Sequence, residues 1–138
     1  MHNDVVIFES ASTESSREFL KQAYQYLDLK YPKFHKMDLL SKLGIVAGEL
    51  LVGNEEESAL ADLGIVMANR SSSLQIDEDF AKTIRNEENF FPSPSLFVYT
   101  LPNIVIGEIC IRHKIKGENA FFILNKFDPC FIDRKSVV

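Results

Sequence analysis

Two cysteines and three histidines are the side chains of this sequence best suited to covalent chemistry. Cys130 follows a predicted strand, where an α/β enzyme can expose a nucleophile. A reactive cysteine needs a histidine or a helix N-terminus to lower the pKa of its thiol. The sequence alone places none of the three histidines, His2, His35 and His113, beside Cys130. Cys130 is therefore a candidate nucleophile, and a structural or exposed cysteine is the alternative interpretation.

Metal-binding and cofactor motifs are missing from the sequence. Cys110 and His113 lie three residues apart on a predicted helix, but two ligands without a second pair do not make a zinc site. Neither the dinucleotide-binding pattern nor the Walker pattern occurs, and the Gly-x-Ser-x-Gly turn of hydrolases is absent. We therefore predict no metal and no cofactor.

The polar run Asn69–Ser73 leaves a predicted strand and is a candidate for binding a small anion. Arg70 and the backbone N–H groups of the run would provide the contacts. The alternative is a structured turn that satisfies its own backbone.

A basic patch, defined as Arg112, His113, Lys114 and Lys116, lies at the C-terminal end of a predicted helix. Cations at this end complement the helix dipole, which is a sufficient structural reason for the pattern. The functional alternative is docking of an acidic partner that is steered by charge.

Composition excludes several classes of protein. The 138 residues carry 15 Lys and Arg against 20 Asp and Glu, and the net charge of −5 argues against nucleic-acid binding. The two cysteines cannot cross-link a disulfide scaffold. The most apolar stretch, Asn103–Ile111, contains Glu108 and is too short to be inserted in a membrane. Without a recognisable export signal, we expect a cytoplasmic protein.

Alternating strands and helices predict one α/β domain over residues 1–138. The predicted strands are Val5–Phe8, Leu63–Ala68 and Ala120–Leu124. Four helices are predicted. The first is Arg17–Leu29, and the second is capped by Asp38 and ended by Gly53-Asn54. The third is Asp77–Arg85, with Phe80 and Ile84 facing inward, and the fourth extends from Pro102 to about Lys114. Gly44 and Gly48, one turn apart, would let another element approach the second helix closely.

Three segments, in order, resemble the β-ketoacyl synthases over roughly residues 36–125. Lys36–Leu43, continuing to Ala47 and Glu49, resembles the early helix of that family, and Leu63–Asn69 resembles the following strand. Phe91–Pro94 through Asn103, Gly107, Ile111 and Gly117 resembles the buried central helix and its exit. The resemblance implies a layered thiolase-like half-domain, with a mixed sheet and a buried central helix.

The chain departs from the family where catalysis would occur. Family members load an acyl chain on a cysteine about nine residues after the glycine matched by Gly117, and that position here is Lys126. Cys130 would need a four-residue insertion, and the two histidine motifs of the second half have no counterpart before Val138. No catalytic residue can therefore be carried over.

The missing second half predicts an exposed apolar face on the central helix. We expect Val105, Ile106 and Ile109 to contact a partner, either a ketosynthase subunit or a second copy of the chain. The basic patch residues Arg112, Lys114 and Lys116 would dock an acyl carrier protein.

The favoured function is a non-catalytic ketosynthase-like accessory protein in fatty-acid, polyketide or aryl-polyene-type synthesis. One alternative is an acyltransferase or condensing enzyme that uses Cys130 or is completed by a partner chain. Two others are a truncated relic without activity and an unrelated α/β module.

Overall fold

Helices make up most of the secondary structure in a computed structural model of the protein. The structure describes residues 6–9, 15–85, 90–126 and 128–136, with side chains as far as Asp133. The helices are α1 (Ser16–Tyr26), a short 3-10 helix (Pro32–Lys36), α2 (Leu39–Val52), α3 (Glu57–Leu60), α4 (Leu74–Ile84), α5 (Pro94–Tyr99), α6 (Ile104–His113) and α7 (Pro129–Ser136). The strands β1 (Ile65–Asn69) and β2 (Asn119–Ile123) pair in parallel, with Ile65 opposite Asn119. The described chain is thus a helix-rich α/β structure.

Helix α2 begins where the sequence predicts, because Asp38 caps it. The two carboxylate oxygens of Asp38 accept hydrogen bonds from the backbone N–H groups of Ser41 and Leu40, each at 3.1 Å. These bonds satisfy donors that the first turn of a helix leaves without partners. Gly53 follows the last residue of the helix and forms its C-cap.

The close approach that two glycines predict is made by α6. A Cβ atom added to Gly44 would collide with Cγ2 of Val105, and one added to Gly48 would lie 3.2 Å from Cγ2 of Ile109. Glycine at both positions therefore lets α2 and α6 pack directly on each other.

The core surrounds this helix pair. Its buried apolar side chains come mainly from α1, the 3-10 helix, α2 and α6: Leu20, Ala23, Leu29, Phe34, Met37, Ile45, Val46, Leu60, Tyr99, Val105, Ile106, Ile109 and Ile115. The central helix α6 is buried on the side that faces α2, whereas Ile111 on its other side is 67% exposed.

Two predicted helices have different ends in the structure. Helix α1 stops at Tyr26 rather than Leu29, because Asp28 takes a left-handed conformation (φ 46°). Helix α4 begins at Leu74 instead of Asp77. The predicted inward position of Ile84 is wrong, since 39% of this residue is exposed.

The predicted first strand is not formed by residues 6–8, and Val5 lies outside the described residues. Phe8 instead packs against the rings of Phe19 and Tyr26, with centroid distances of 5.6 and 5.1 Å. Aromatic packing on α1 thus accounts for part of this apolar run. The sequence predicts a mixed sheet, and the two strands of the described ranges are parallel.

Candidate functional site

A buried carboxylate, Glu108, lies in the middle of α6. Only 3% of this residue is exposed. An ionised carboxylate in such a position is strongly disfavoured unless a cation or hydrogen-bond donors compensate it. The 3-10 helix and the residue before it supply both kinds of partner.

Lys33 and Tyr31 hold the Glu108 carboxylate. The Lys33 ammonium lies 2.7 Å from one carboxylate oxygen, and the Tyr31 hydroxyl donates a 3.3 Å hydrogen bond to the other. The backbone N–H of Tyr31 in turn donates to the hydroxyl of Tyr24 at 3.0 Å. The network therefore joins α1, the 3-10 helix and α6.

The network changes the acid–base behaviour of its members. The hydrogen bond to Glu108 raises the pKa of the Lys33 ammonium, against the opposing effect of burial. Burial and the nearby Glu108 charge raise the pKa of the Tyr31 hydroxyl and that of Tyr99. Lys33 thus stays charged and both tyrosines stay neutral near pH 7, which suits a structural ion pair.

A second acid–base cluster joins the C-terminal end of α6 to α2. The Arg112 Nε atom donates to a Glu49 carboxylate oxygen at 2.9 Å, and the guanidinium lies 5.2 Å from the centre of the Tyr31 ring. The His113 Nε2 atom lies 3.6 Å from the same oxygen, beyond hydrogen-bond distance. Burial lowers the pKa of the His113 imidazole, and the Glu49 charge only partly offsets this.

The structure neutralises most of the basic patch. Arg112 is paired with Glu49, and the Lys114 ammonium lies 2.6 Å from a Glu57 carboxylate oxygen. His113 is not a cation near pH 7, given its lowered pKa. Among the described residues, Lys116 is the one member of the patch that is exposed and has no ion-pair partner.

The predicted partner contacts on α6 are corrected by the fold. Val105 and Ile106 are 0% exposed and Ile109 is 6% exposed. Helix α2 covers Val105 and Ile109 within the same chain, since its glycines allow α6 to approach, and Ile106 belongs to the same buried cluster. These three side chains are therefore core residues that no partner can reach in the folded chain.

The two cysteines lie in different surroundings. Cys110 on α6 is half-buried, and burial raises the pKa of its thiol, which makes it a poorer nucleophile. Cys130 is exposed in the first turn of α7, and neither cysteine forms a disulfide. Within the residues that the structure describes, no three His, Cys, Asp or Glu side chains are arranged to hold a metal ion.

The loop after β1 satisfies its own backbone. The Asn69 side chain accepts from the Ser72 N–H and donates to the Ser72 carbonyl, both at 2.8 Å. The Ser73 hydroxyl, which is buried, donates to the Thr100 carbonyl at 2.6 Å. This geometry matches the structured-turn interpretation of the run.

Sequence reasoning did not identify the Glu108 network. The available signal was a lone carboxylate in the otherwise apolar run Ile104–Ile111, because a charge in a buried helix needs a partner. The sequence does not reveal that the partner is Lys33. The buried Ser41 hydroxyl, which has no hydrogen-bond partner, was also missed.

No protein-family model matches this chain, and no curated protein or solved structure is significantly similar to it. No helix in the described ranges has the length and apolar character needed to cross a membrane.

Proposed function

We propose that this chain is a non-catalytic, β-ketoacyl-synthase-like accessory protein that pairs with a ketosynthase subunit in fatty-acid, polyketide or aryl-polyene-type synthesis. One observation carries the proposal. The segments that resemble the family include α2, β1 and α6. Helix α2 packs on α6 through the two glycines, and β1 pairs in parallel with β2. The packing of an early helix on the central helix, beside a pair of parallel strands, supports the layered half-domain that the resemblance implies.

The acid–base groups of the site favour a non-catalytic role. The carboxylates of Glu108 and Glu49 are already paired with cations, so neither is available as a general base. Lys126, at the position of the family's cysteine, is an exposed residue after β2. Nothing in these contacts would activate an acyl donor or hold a developing oxyanion.

The outer face of α2 is the surface we assign to the partner. The polar residues of α2 are Ser41, Lys42 and Glu49, and α1 and α6 pack on only part of its surface. Leu50 and Leu51, near its C-terminal end, remain 45% and 74% exposed. An apolar hollow of about 270 Å³ lies between α2 and β1, next to Leu51. In the two-half fold that the resemblance implies, a second α/β half covers the first, and a ketosynthase subunit would take that place here.

The test is complex formation between the purified chain and a β-ketoacyl synthase from the same organism, measured by sedimentation velocity. We expect a complex that Leu51→Asp weakens by about tenfold or more, because a charge would be buried at the interface. Ile111→Asp is the matched control, since Ile111 is similarly exposed but lies on α6. Absence of a complex with the unchanged chain overturns the function, and equal effects of the two substitutions overturn the assigned surface.

The enzymatic alternative has its own test. In a transacylation, the Cys130 sulfur would form a new thioester while the donor thiol leaves with the proton. Intact mass after incubation with acyl thioesters would detect this adduct. An adduct that is lost in Cys130→Ala would make the chain an acyltransferase and contradict the accessory role.

Acyl carrier protein is a second candidate partner, through the basic patch. The pairing of Arg112 and Lys114 with carboxylates leaves Lys116 as the main contact. We expect Lys116→Glu to weaken carrier-protein binding, and unchanged affinity would exclude this docking mode.

A further inference from the structure

A cleft of about 480 Å³ opens on the side of the molecule where α2, α4 and α5 meet. Its walls are the N-terminal part of α2 with the residues before it, the loop 71–73, the start of α4, and one side of α5. Arg17 of α1 completes the rim. The volume falls within the range of about 300–1,000 Å³ that small-molecule sites usually have.

Three cations line this cleft: Arg17, Lys36 and Lys42. None of them forms an ion pair with any described residue. Lys42 lies over the ring of Phe34, with its ammonium 5.9 Å from the ring centre. Lys33, Arg112 and Lys114 are each paired with a carboxylate, so this group differs from them. It is also unexpected in a chain with a net charge of −5.

The two carboxylates that line the cleft already have hydrogen-bond or ion-pair partners. Asp38 uses both of its oxygens to cap α2. Asp79 lies 2.7 Å from the ammonium of Lys82. The cleft therefore presents unpaired positive charge, and its two negative charges are largely compensated.

The remaining wall is largely apolar. Met37 and Tyr99 are buried at the cleft, Leu96 is half-buried, and Leu74 is 55% exposed. The loop of Ser71–Ser73 supplies hydroxyl and backbone groups at one edge. A ligand that fits this surface has an apolar body and an anionic head.

We infer that the cleft binds an anionic amphiphile, namely a single carboxylate or phosphate head group on an apolar chain. Arg17, Lys36 and Lys42 attract the head group, and Leu74, Leu96 and Tyr99 contact the chain. The backbone N–H groups at the start of α2 play no part in this, because Asp38 already caps them. The cleft lies apart from the surface assigned to the ketosynthase partner, which Leu50 and Leu51 form at the other end of α2.

The first experiment compares probes on the unchanged protein by titration calorimetry, below the concentrations at which they form micelles. The probes are decanoate, decyl phosphate, decyltrimethylammonium and inorganic phosphate. We expect saturable binding of decanoate or decyl phosphate, with the tighter of the two identifying the head group. Binding of decyltrimethylammonium with equal affinity, or no saturable binding of either anion, overturns the inference.

Substitutions then locate the site. Arg17→Glu with Lys36→Glu reverses two exposed charges and should weaken binding by about tenfold or more. Lys30→Glu with Arg85→Glu is the matched control, which makes the same change of net charge at exposed residues that do not line the cleft. Equal affinity of the two double variants overturns the site.

A third variant tests the apolar wall without altering charge. Leu74→Gln should weaken binding severalfold, whereas Leu101→Gln, at a residue that is 48% exposed and does not line the cleft, should not. The circular dichroism spectrum of each variant verifies its fold. An unchanged affinity in folded Leu74→Gln contradicts the proposed position of the chain.

Discussion

The Glu108 carboxylate makes Lys33 important for stability, although Lys33 itself is half-exposed. Removing the ammonium in Lys33→Met leaves a buried carboxylate with only the Tyr31 hydroxyl as a partner. We expect the free energy of unfolding to fall by about 1–3 kcal/mol, less than for a fully buried pair, since water can reach the vacated site. Urea denaturation measures the change.

Lys30→Met is the control for this prediction. Lys30 lies three residues away, its side chain is 87% exposed, and its ion pair with Asp28 is at the surface. Its replacement should change the free energy of unfolding by less than about 0.5 kcal/mol. Equal effects of the two substitutions would mean that the Glu108 pair contributes no stability.

His113 should make stability depend on pH on the acidic side. Burial holds the pKa of His113 below its ordinary value of 6.5, so the unfolded chain takes up a proton at a higher pH than the folded chain. The stability contributed by neutral His113 is therefore present above about pH 6.5 and is lost as the pH falls through the folded pKa. The urea concentration at the midpoint of unfolding should decrease as the pH is lowered from 7.5 to 5.5. This decrease should be less steep in His113→Gln.

His35→Gln is the comparison for the pH series. His35 is exposed and packs against the rings of Tyr24 and Phe34. This variant shows how much of the slope a histidine-to-glutamine change at another position removes. If His113→Gln removes no more of the slope than His35→Gln does, another group causes the acidic loss of stability.

At the scale of elements, the contact of α2 with α6 should tolerate no added methyl group at Gly44. The Cβ atom that Gly44→Ala introduces would overlap Val105. This substitution should therefore lower the free energy of unfolding by about 1–3 kcal/mol. Gly107→Ala makes the same change within α6, where no atom lies within 4 Å of the added Cβ. It should raise the free energy of unfolding by about 0.5–1 kcal/mol, because alanine favours the helix. Thermal denaturation distinguishes the two signs, and destabilisation by both would contradict the assigned packing.

The sequence was informative about elements with local signals. Asp38 and Gly53 mark the ends of α2, and apolar runs indicate β1 and β2. It was less informative where distant residues decide the outcome. The exposure predicted for Val105 depended on where α2 packs, and the Tyr31–Glu108 hydrogen bond joins residues 77 positions apart. Neither contact has a local pattern, so single-residue properties cannot reveal it.

At the scale of the whole molecule, protection from hydrogen exchange should follow the distribution of the core. Helices α2 and α6 contain most of the fully buried side chains, whereas α4 contains no buried residue. We expect amides in the middle of α2 and α6 to exchange at least about tenfold more slowly than those of α4. Mass spectrometry of peptides after exchange measures this, and similar protection of α4 would contradict a core centred on the helix pair.

The parallel pairing of β1 with β2 determines how late in translation the fold can be completed. Ile65 cannot meet Asn119 until all the residues between them have been translated, and the Glu49–Arg112 contact spans 63 positions. Non-local contacts of this kind form slowly. A nascent chain therefore carries α2 and β1 out of the ribosome before α6 and β2 have emerged. Until then, the apolar faces of α2 and β1 that α6 and β2 later cover stay open to chaperones or to other nascent chains.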